Sequence, residues 1–291
     1  MYEIVDQQIS LDVGQRGSRS LYTAAREGEP LSKTAAKALL EAVEPGGEVL
    51  LTTGFPIGPK ATPETDGPLG TVVLAETLAA MGVEPRIVVD ERTRPVLDAL
   101  VAILDGSSQL VTPPADTDET ALLESEPAAV IAVETPGRTA DGSYRNMSGE
   151  DISAQLSPRD ALFEQAAEDG ILTVGIGDGG NEIGMGAISR AVADHITHGK
   201  TIGCVTSVDE LVVAGVSNWG AYGVICGLSI ATNQQLLHTG ETERRLLAAA
   251  VNAGAIDGVT GEAAESVDGI PAAAHAHVVD ILRYYATPSE T

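Results

Sequence analysis

Short continuous apolar runs alternate with amphipathic stretches along most of this chain, and the two periods predict strands and helices in turn. Helical spacing over 31–43 stops at Pro45-Gly46-Gly47, a strong terminator. Beyond it, apolar runs predict strands at 48–53, 86–90, 109–112, 129–134, 172–176 and 201–206. Between them the spacing predicts helices at 70–81, 94–104, 119–125, 157–169 (opened by Ser157-Pro158) and 182–195. The remainder reads as helical at 221–232, 243–253 and 270–285. Apolar strands alternating with amphipathic helices predict an α/β fold. It is a doubly wound, mainly parallel Rossmann-like sheet with helices on both faces and helical N- and C-terminal segments. Residues 1–291 are expected to form one domain: a lead-in at 1–45, the alternating core at 48–210 and a helical end at 211–291. Ligands of such sheets bind outside the carboxyl ends of the strands, so the loops after the strands hold the interest.

Four of those loops are rich in Gly and short polar residues. Thr52-Thr-Gly-Phe-Pro-Ile-Gly-Pro-Lys60 runs on into Glu64-Thr-Asp-Gly-Pro-Leu-Gly70. A long second loop spans 134–153. The third is Gly175-Ile-Gly-Asp-Gly-Gly-Asn-Glu-Ile-Gly-Met-Gly186, and the fourth is Gly215-Val-Ser-Asn-Trp-Gly-Ala-Tyr222. The first two exceed the length that a sheet-to-helix connection needs, which points to function. The third matches G-x-G-x-x-G, the dinucleotide cradle. Against that reading, Asp178 and Glu182 put carboxylates where phosphates would lie. No acid ends the following run (Val205-Thr206-Ser207), and the motif follows a late strand. The competing reading makes Asp178, Asn181 and Glu182 acceptors for an ammonium group, acid/base groups or ligands of a hard cation. Helix capping by Asp178 or Asn181 is the plain alternative.

Backbone at Gly54, Gly177, Gly179 and Gly180 can approach a ligand closely. Thr53, Glu134, Asn146, Asn181, Ser217 and Asn218 can fix it by hydrogen bonds. Arg138 and Arg145 are candidates for binding a carboxylate as bidentate forks, or else they pair with Asp141, Glu150 or Asp151. Asp66 is a candidate acid/base or metal ligand, or else it serves the turn before Gly67-Pro68. If a metal is present, Asp66, Asp178 and Glu182 are its expected ligands. Nothing in the sequence requires a cofactor, and a divalent cation such as Mg or Mn is compatible with it.

Charge narrows the partners. The chain carries a net charge of −25, with four lysines among 17 basic residues. Such a surface repels nucleic acid and anionic membranes, so neither is an expected partner. Carboxylates are spread along the whole chain, as on a solvated halophilic surface, rather than gathered in one patch. Cys204 and Cys226 lack metal-ligand spacing and read as buried thiols of a reducing cytoplasm. Neither a signal peptide nor an 18-residue apolar run is visible, so the expectation is a cytoplasmic protein, alone or as a homo-oligomer. No nucleophile elbow, P-loop or zinc constellation occurs. Carboxylates, arginines, Asn and Thr suit a small substrate bearing both charge signs, such as an amino acid.

Glu134-x-Pro-Gly-Arg, Asp-Gly-x-Tyr-x-Asn-Met-x-Gly-Glu-Asp-Ile-Ser and the 175–186 run together resemble the D-glutamate cyclase family, and in particular its carboxy-terminal domain. The resemblance implies a hydro-lyase that converts D-glutamate to 5-oxo-D-proline and water. It would make Asp178 or Glu182 the base that takes a proton from the ammonium. Arg138, Arg145 or a metal would neutralise the attacked carboxylate, and Tyr144 or Asp66 would protonate the departing oxygen. Two alternatives stay open. One is a metal-dependent enzyme on another small acidic or phosphorylated metabolite, and the other is a non-catalytic amino-acid-binding module.

Overall fold

Three helices lead in: α1 (Tyr2–Ile9), α2 (Ser18–Ala25) and α3 (Leu31–Ala42). The computed structural model describes residues 1–114 and 118–287. After β1 (Glu48–Thr53) comes a small hairpin, β2 (Pro56–Ile57) with β3 (Thr62–Pro63), which leads into α4 (Pro68–Ala80). Then follow β4 (Glu84–Val88), α5 (Arg94–Ile103), β5 (Gln109–Val111), a 3-10 turn at Glu119–Ser125, β6 (Ala129–Val133), α6 (Asp160–Glu168) and β7 (Leu172–Gly177). Two short helices, α7 (Ser189–His195) and α8 (Gly199–Ile202), precede β8 (Glu210–Val213) and α9 (Ser217–Thr232). The chain closes with α10 (Gly240–Asn252), a second small hairpin of β9 (Ser266–Val267) and β10 (Ile270–Pro271), and α11 (Ala272–Ala286).

Six strands form one sheet in the order β5-β4-β1-β6-β7-β8, with every neighbouring pair parallel. The chain builds outward from β1 to β5, then returns to the other side of β1 and builds outward again to β8. Loops leaving β1 and β6 therefore diverge, and the crevice between them is the switch point at which such sheets bind ligands. The predicted doubly wound α/β architecture is observed.

Strand side chains alternate between two faces of unequal depth. Val49, Leu51, Ile87, Ile131, Val133, Val174 and Ile176 face the thick layer, where α3, α4 and α9 pack. Leu50, Val88, Val130 and Ala132 face a thin layer of Leu162, Phe163 and Ala166 from α6, with Leu123 and Ile183. Helices α4 and α9 are buried along almost their whole length, and helices apolar all round belong inside a protein. Pro68 opens α4 at a position that needs no N–H. Among the described residues no helix is long and apolar enough to cross a membrane.

Two local expectations differ from the structure. The run 201–206 is not a strand. Residues 199–202 are α8, and the following extended segment braces the loops beyond the sheet. There the Cys204 N–H donates to Gly180 O at 3.0 Å and the Val205 N–H to Arg138 O at 2.9 Å. An apolar run has the same periodicity whether it joins a ladder or supports a loop. The sixth strand is instead β8, four residues further on. The helix expected over 182–195 begins as α7 only at Ser189. Gly184 and Gly186 weaken a helix there, and the Ile183 N–H donates to Thr135 O at 2.9 Å. Phe163 is fully buried in the thin layer. Phe163→Ala is expected to cost about 3–5 kcal/mol. Urea denaturation checks this, and an unchanged midpoint would show that α6 does not carry that face.

Candidate functional site

The loops after β1, β6 and β7 converge on one cavity of about 290 Å³, lined by Arg16, Glu64, Glu134, Asp178, Asn181 and Glu182 among others. Asp66 lies behind this wall. It is buried, and its carboxylate accepts from the N–H groups of Ser217 (2.9 Å), Asn218 (2.8 Å) and Gly67 (3.0 Å). Asn218 answers it, with Oδ1 accepting from the Gly67 N–H at 3.0 Å and the Gly70 N–H at 2.7 Å. Asp66 thus caps α9 and Asn218 caps α4, each reaching across to the other's free N–H groups. Gly67, at φ +92°, is required here. A Cβ would stand 2.6 Å from Thr53 Oγ1 and 2.7 Å from Glu134 Cβ.

Glu182 turns its carboxylate back onto its own loop. Oε1 accepts from Asp178 N–H (3.2 Å) and Gly179 N–H (2.7 Å), and Oε2 from Gly180 N–H at 2.7 Å. These are the donors that a G-x-G-x-x-G loop offers to a pyrophosphate. The protein's own anion occupies them, so the loop forms a wall of the cavity rather than a phosphate cradle. Asn181 donates from Nδ2 to Arg145 O at 2.8 Å, fastening this wall to the 134–153 loop.

Glu134 ends β6 in the left-handed region, at φ +45°, and accepts from Ser217 Oγ at 2.5 Å. Asp178 ends β7 and accepts from Arg16 Nη2 at 2.5 Å. Arg16 also reaches Asp268 at 2.5 Å and the Gly215 carbonyl at 3.2 Å. Oxygens of Asp66, Glu134 and Asp178 lie within 4.8 Å of one another. Glu182, expected beside Asp66 and Asp178 as a metal ligand, is not a member of this group, and Glu134 is.

Burial dominates the electrostatics. It raises the Asp66 pKa to about 7, with Asp268 adding to the shift and the Asn218 and Ser217 N–H groups opposing it. Burial also pushes Glu134 and Glu64 well above the usual carboxylate range, with neighbouring acids adding to it. Asp178 is raised by burial, against the pull of Arg16. Arg16 itself is pushed further up, chiefly by Asp178.

Several predicted site residues lie outside this cavity. Arg138 pairs with Glu164 at 2.5 Å, and Arg145 with Asp141 at 3.1 Å. The Tyr144 hydroxyl donates to buried Asp160 at 2.5 Å, and burial raises its pKa, with Asp160 adding to the shift. Thr53, Gly54, Gly177, Gly179, Gly180, Ser217 and Asn218 do not line the cavity, while Asn146 does. The arginine that does line the cavity was not apparent in the sequence. Arg16 lies in the loop between α1 and α2, where the Asp12 carboxylate accepts from the N–H groups of Arg16 (2.8 Å) and Gly17 (2.9 Å). Its signal was a lone cation between Gly14 and Gly17 in a cation-poor chain. In the sequence Glu64 stands out only as the neighbour of Asp66. Asp268 reads as a turn residue, held by a loop that Asp257 organises through the Gly269 N–H (2.7 Å) and Ser266 Oγ (2.6 Å).

A family model described as D-glutamate cyclase-like, C-terminal, matches residues 5–283. The human protein named D-glutamate cyclase, mitochondrial, is 40% identical over 200 residues. The match takes in 62% of this chain and 32% of that protein's length.

Removing the anion that fills the glycine loop tests the site's construction. Glu182→Ala should leave three buried N–H groups without an acceptor, at about 1–3 kcal/mol each, and lower the melting temperature accordingly. Millimolar formate or acetate is expected to restore part of the loss by refilling the position. An unchanged melting temperature would refute the role given to Glu182.

Proposed function

The chain belongs to the D-glutamate cyclase-like, C-terminal family, and on that premise we propose that it cyclises D-glutamate to 5-oxo-D-proline with loss of water. One observation carries this reading: a guanidinium set into a wall of buried carboxylates at the switch point of the sheet. Among the described residues, Arg16 is the one basic side chain lining the cavity. A glutamate brings two carboxylates and one ammonium. Arg16 offers a fork to one carboxylate, and the acidic wall offers acceptors to the ammonium. A cavity of about 290 Å³ admits a molecule of this size in a folded conformation, which brings the amine toward the side-chain carboxyl.

The reaction joins the amine nitrogen to the side-chain carboxyl carbon and breaks one carbon–oxygen bond of that carboxyl. Of the three ammonium protons, one stays on the lactam nitrogen and two leave on the departing oxygen as water. The site therefore has to pass protons from nitrogen to oxygen across a short gap. We assign that relay to Glu64 and Asp178, which face the same cavity. Glu64 is the freer of the two, because its Oε1 is buried with no hydrogen-bond partner among the described residues. The Tyr144 hydroxyl is already committed to Asp160 and has no part in this scheme.

In high-salt buffer the purified chain is expected to form 5-oxoproline from D-glutamate, followed by chromatography. Arg16→Ala is expected to raise KM by about an order of magnitude or more, since truncating one partner of a buried charge pair costs about 2–5 kcal/mol. Substitution of the exposed Arg190 should leave the kinetics unchanged. Failure of D-glutamate to yield 5-oxoproline would overturn the assignment.

A further inference from the structure

Asp66, Glu134 and Asp178 come from three separate segments of the chain, yet each brings a carboxylate oxygen within 4.8 Å of the other two. All three are buried. A hard divalent cation bound at about 2.1–2.4 Å from its oxygen ligands holds opposite oxygens about 4.2–4.8 Å apart, so this spacing suits a single ion. A second, independent observation points the same way. Glu64 lines the same cavity at 6% exposure, and its Oε1 has no hydrogen-bond partner among the described residues. A buried carboxylate oxygen without a donor is costly unless something positive comes to it.

The charges around the cavity are unevenly compensated. Glu182 is satisfied by three backbone N–H groups, and Arg16 is shared between Asp178 and Asp268. Glu134 has a single hydroxyl donor, and Glu64 has none on Oε1. A dicarboxylate substrate would add two more negative groups and only one positive. An ammonium alone leaves this deficit, whereas a doubly charged cation removes most of it.

We propose that Asp66, Glu134 and Asp178 form a binding site for one divalent cation of the Mg or Mn class, with Glu64 closing it on the cavity side. Binding of the ion follows from the carboxylate geometry alone. Its part in turnover, drawing charge from the substrate carboxyl that is attacked, rests on the cyclase reading above.

Direct metal binding tests this without reference to activity. The full-length chain, stripped with chelator and held in high KCl, is titrated with Mn2+ while the free-ion signal is followed by electron paramagnetic resonance. One saturable Mn2+ per chain is expected. Glu134→Gln keeps an acceptor for Ser217, and Glu64→Gln keeps the side-chain shape. Each should weaken binding by at least about tenfold, a loss that even removing a ligand's hydrogen-bond partner can cause. Glu164→Gln, outside the cavity, should bind like the unaltered protein. Uptake that does not saturate, or that is the same in Glu134→Gln and Glu64→Gln as in the unaltered chain, would overturn the site. Saturable Mn2+ binding without 5-oxoproline formation would keep the site and sink the cyclase reading. Full turnover in excess chelator would overturn the ion's part in the reaction, while the Mn2+ titration alone decides the site.

Discussion

Two helix N-termini meet beneath the cavity, and each is capped by a side chain that belongs to the other segment. Asp66, just before α4, accepts from the first N–H groups of α9, while Asn218, in the first turn of α9, accepts from those of α4. A cap contributes about 0.5–2 kcal/mol, and a carboxylate gains further from the positive end of a helix. The exchange also fixes geometry. It locks the loop after β1 to the loop after β8, across the point where the sheet changes direction. Without it, the two most deeply buried helices would keep their apolar packing but lose their register at the end where the cavity lies.

That arrangement explains how so many acids are tolerated in a dry place. Asp66 is held by three N–H groups and Glu182 by three more, so two buried carboxylates are stabilised mainly by oriented backbone. Asp178 relies on a guanidinium instead, and Glu134 on a hydroxyl. The wall is therefore graded. Asp66 and Glu182 are the best satisfied, whereas Glu134 and Glu64, with the fewest donors, both line the cavity.

Much of this was legible in the sequence. The strand and helix rhythm gave the doubly wound sheet, because buried parallel strands are continuous apolar runs and need no tertiary information to be recognised. The glycine-rich run 175–186 reads as a ligand-facing loop from Asp178 and Glu182, acids that do not belong in a phosphate cradle. Other features depended on distance in three dimensions. Nothing local distinguishes 201–206, which braces a loop, from a strand of the ladder. Arg138 and Arg145 stand out because cations are rare, yet Arg145 pairs with Asp141 four residues back and Arg138 with Glu164 on α6, while Arg16 crosses the fold from the first helical segments. Side-chain direction also decided Tyr144, whose hydroxyl turns to Asp160, a partner 16 residues further along.

Arg16 joins Asp268 across 252 positions of sequence, and Gly215 is the point at which the early segment crosses. The crossing leaves no room for a side chain, since a Cβ at Gly215 would stand 1.9 Å from the Leu11 carbonyl oxygen. Contacts of such high order form late, after the sheet has closed the intervening loops. During synthesis Arg16 leaves the ribosome long before Asp268 exists, so a partly made chain can assemble most of its sheet but not this ion pair. The wall of the cavity is therefore among the last parts of this architecture to be completed, because one of its ion pairs waits for residue 268.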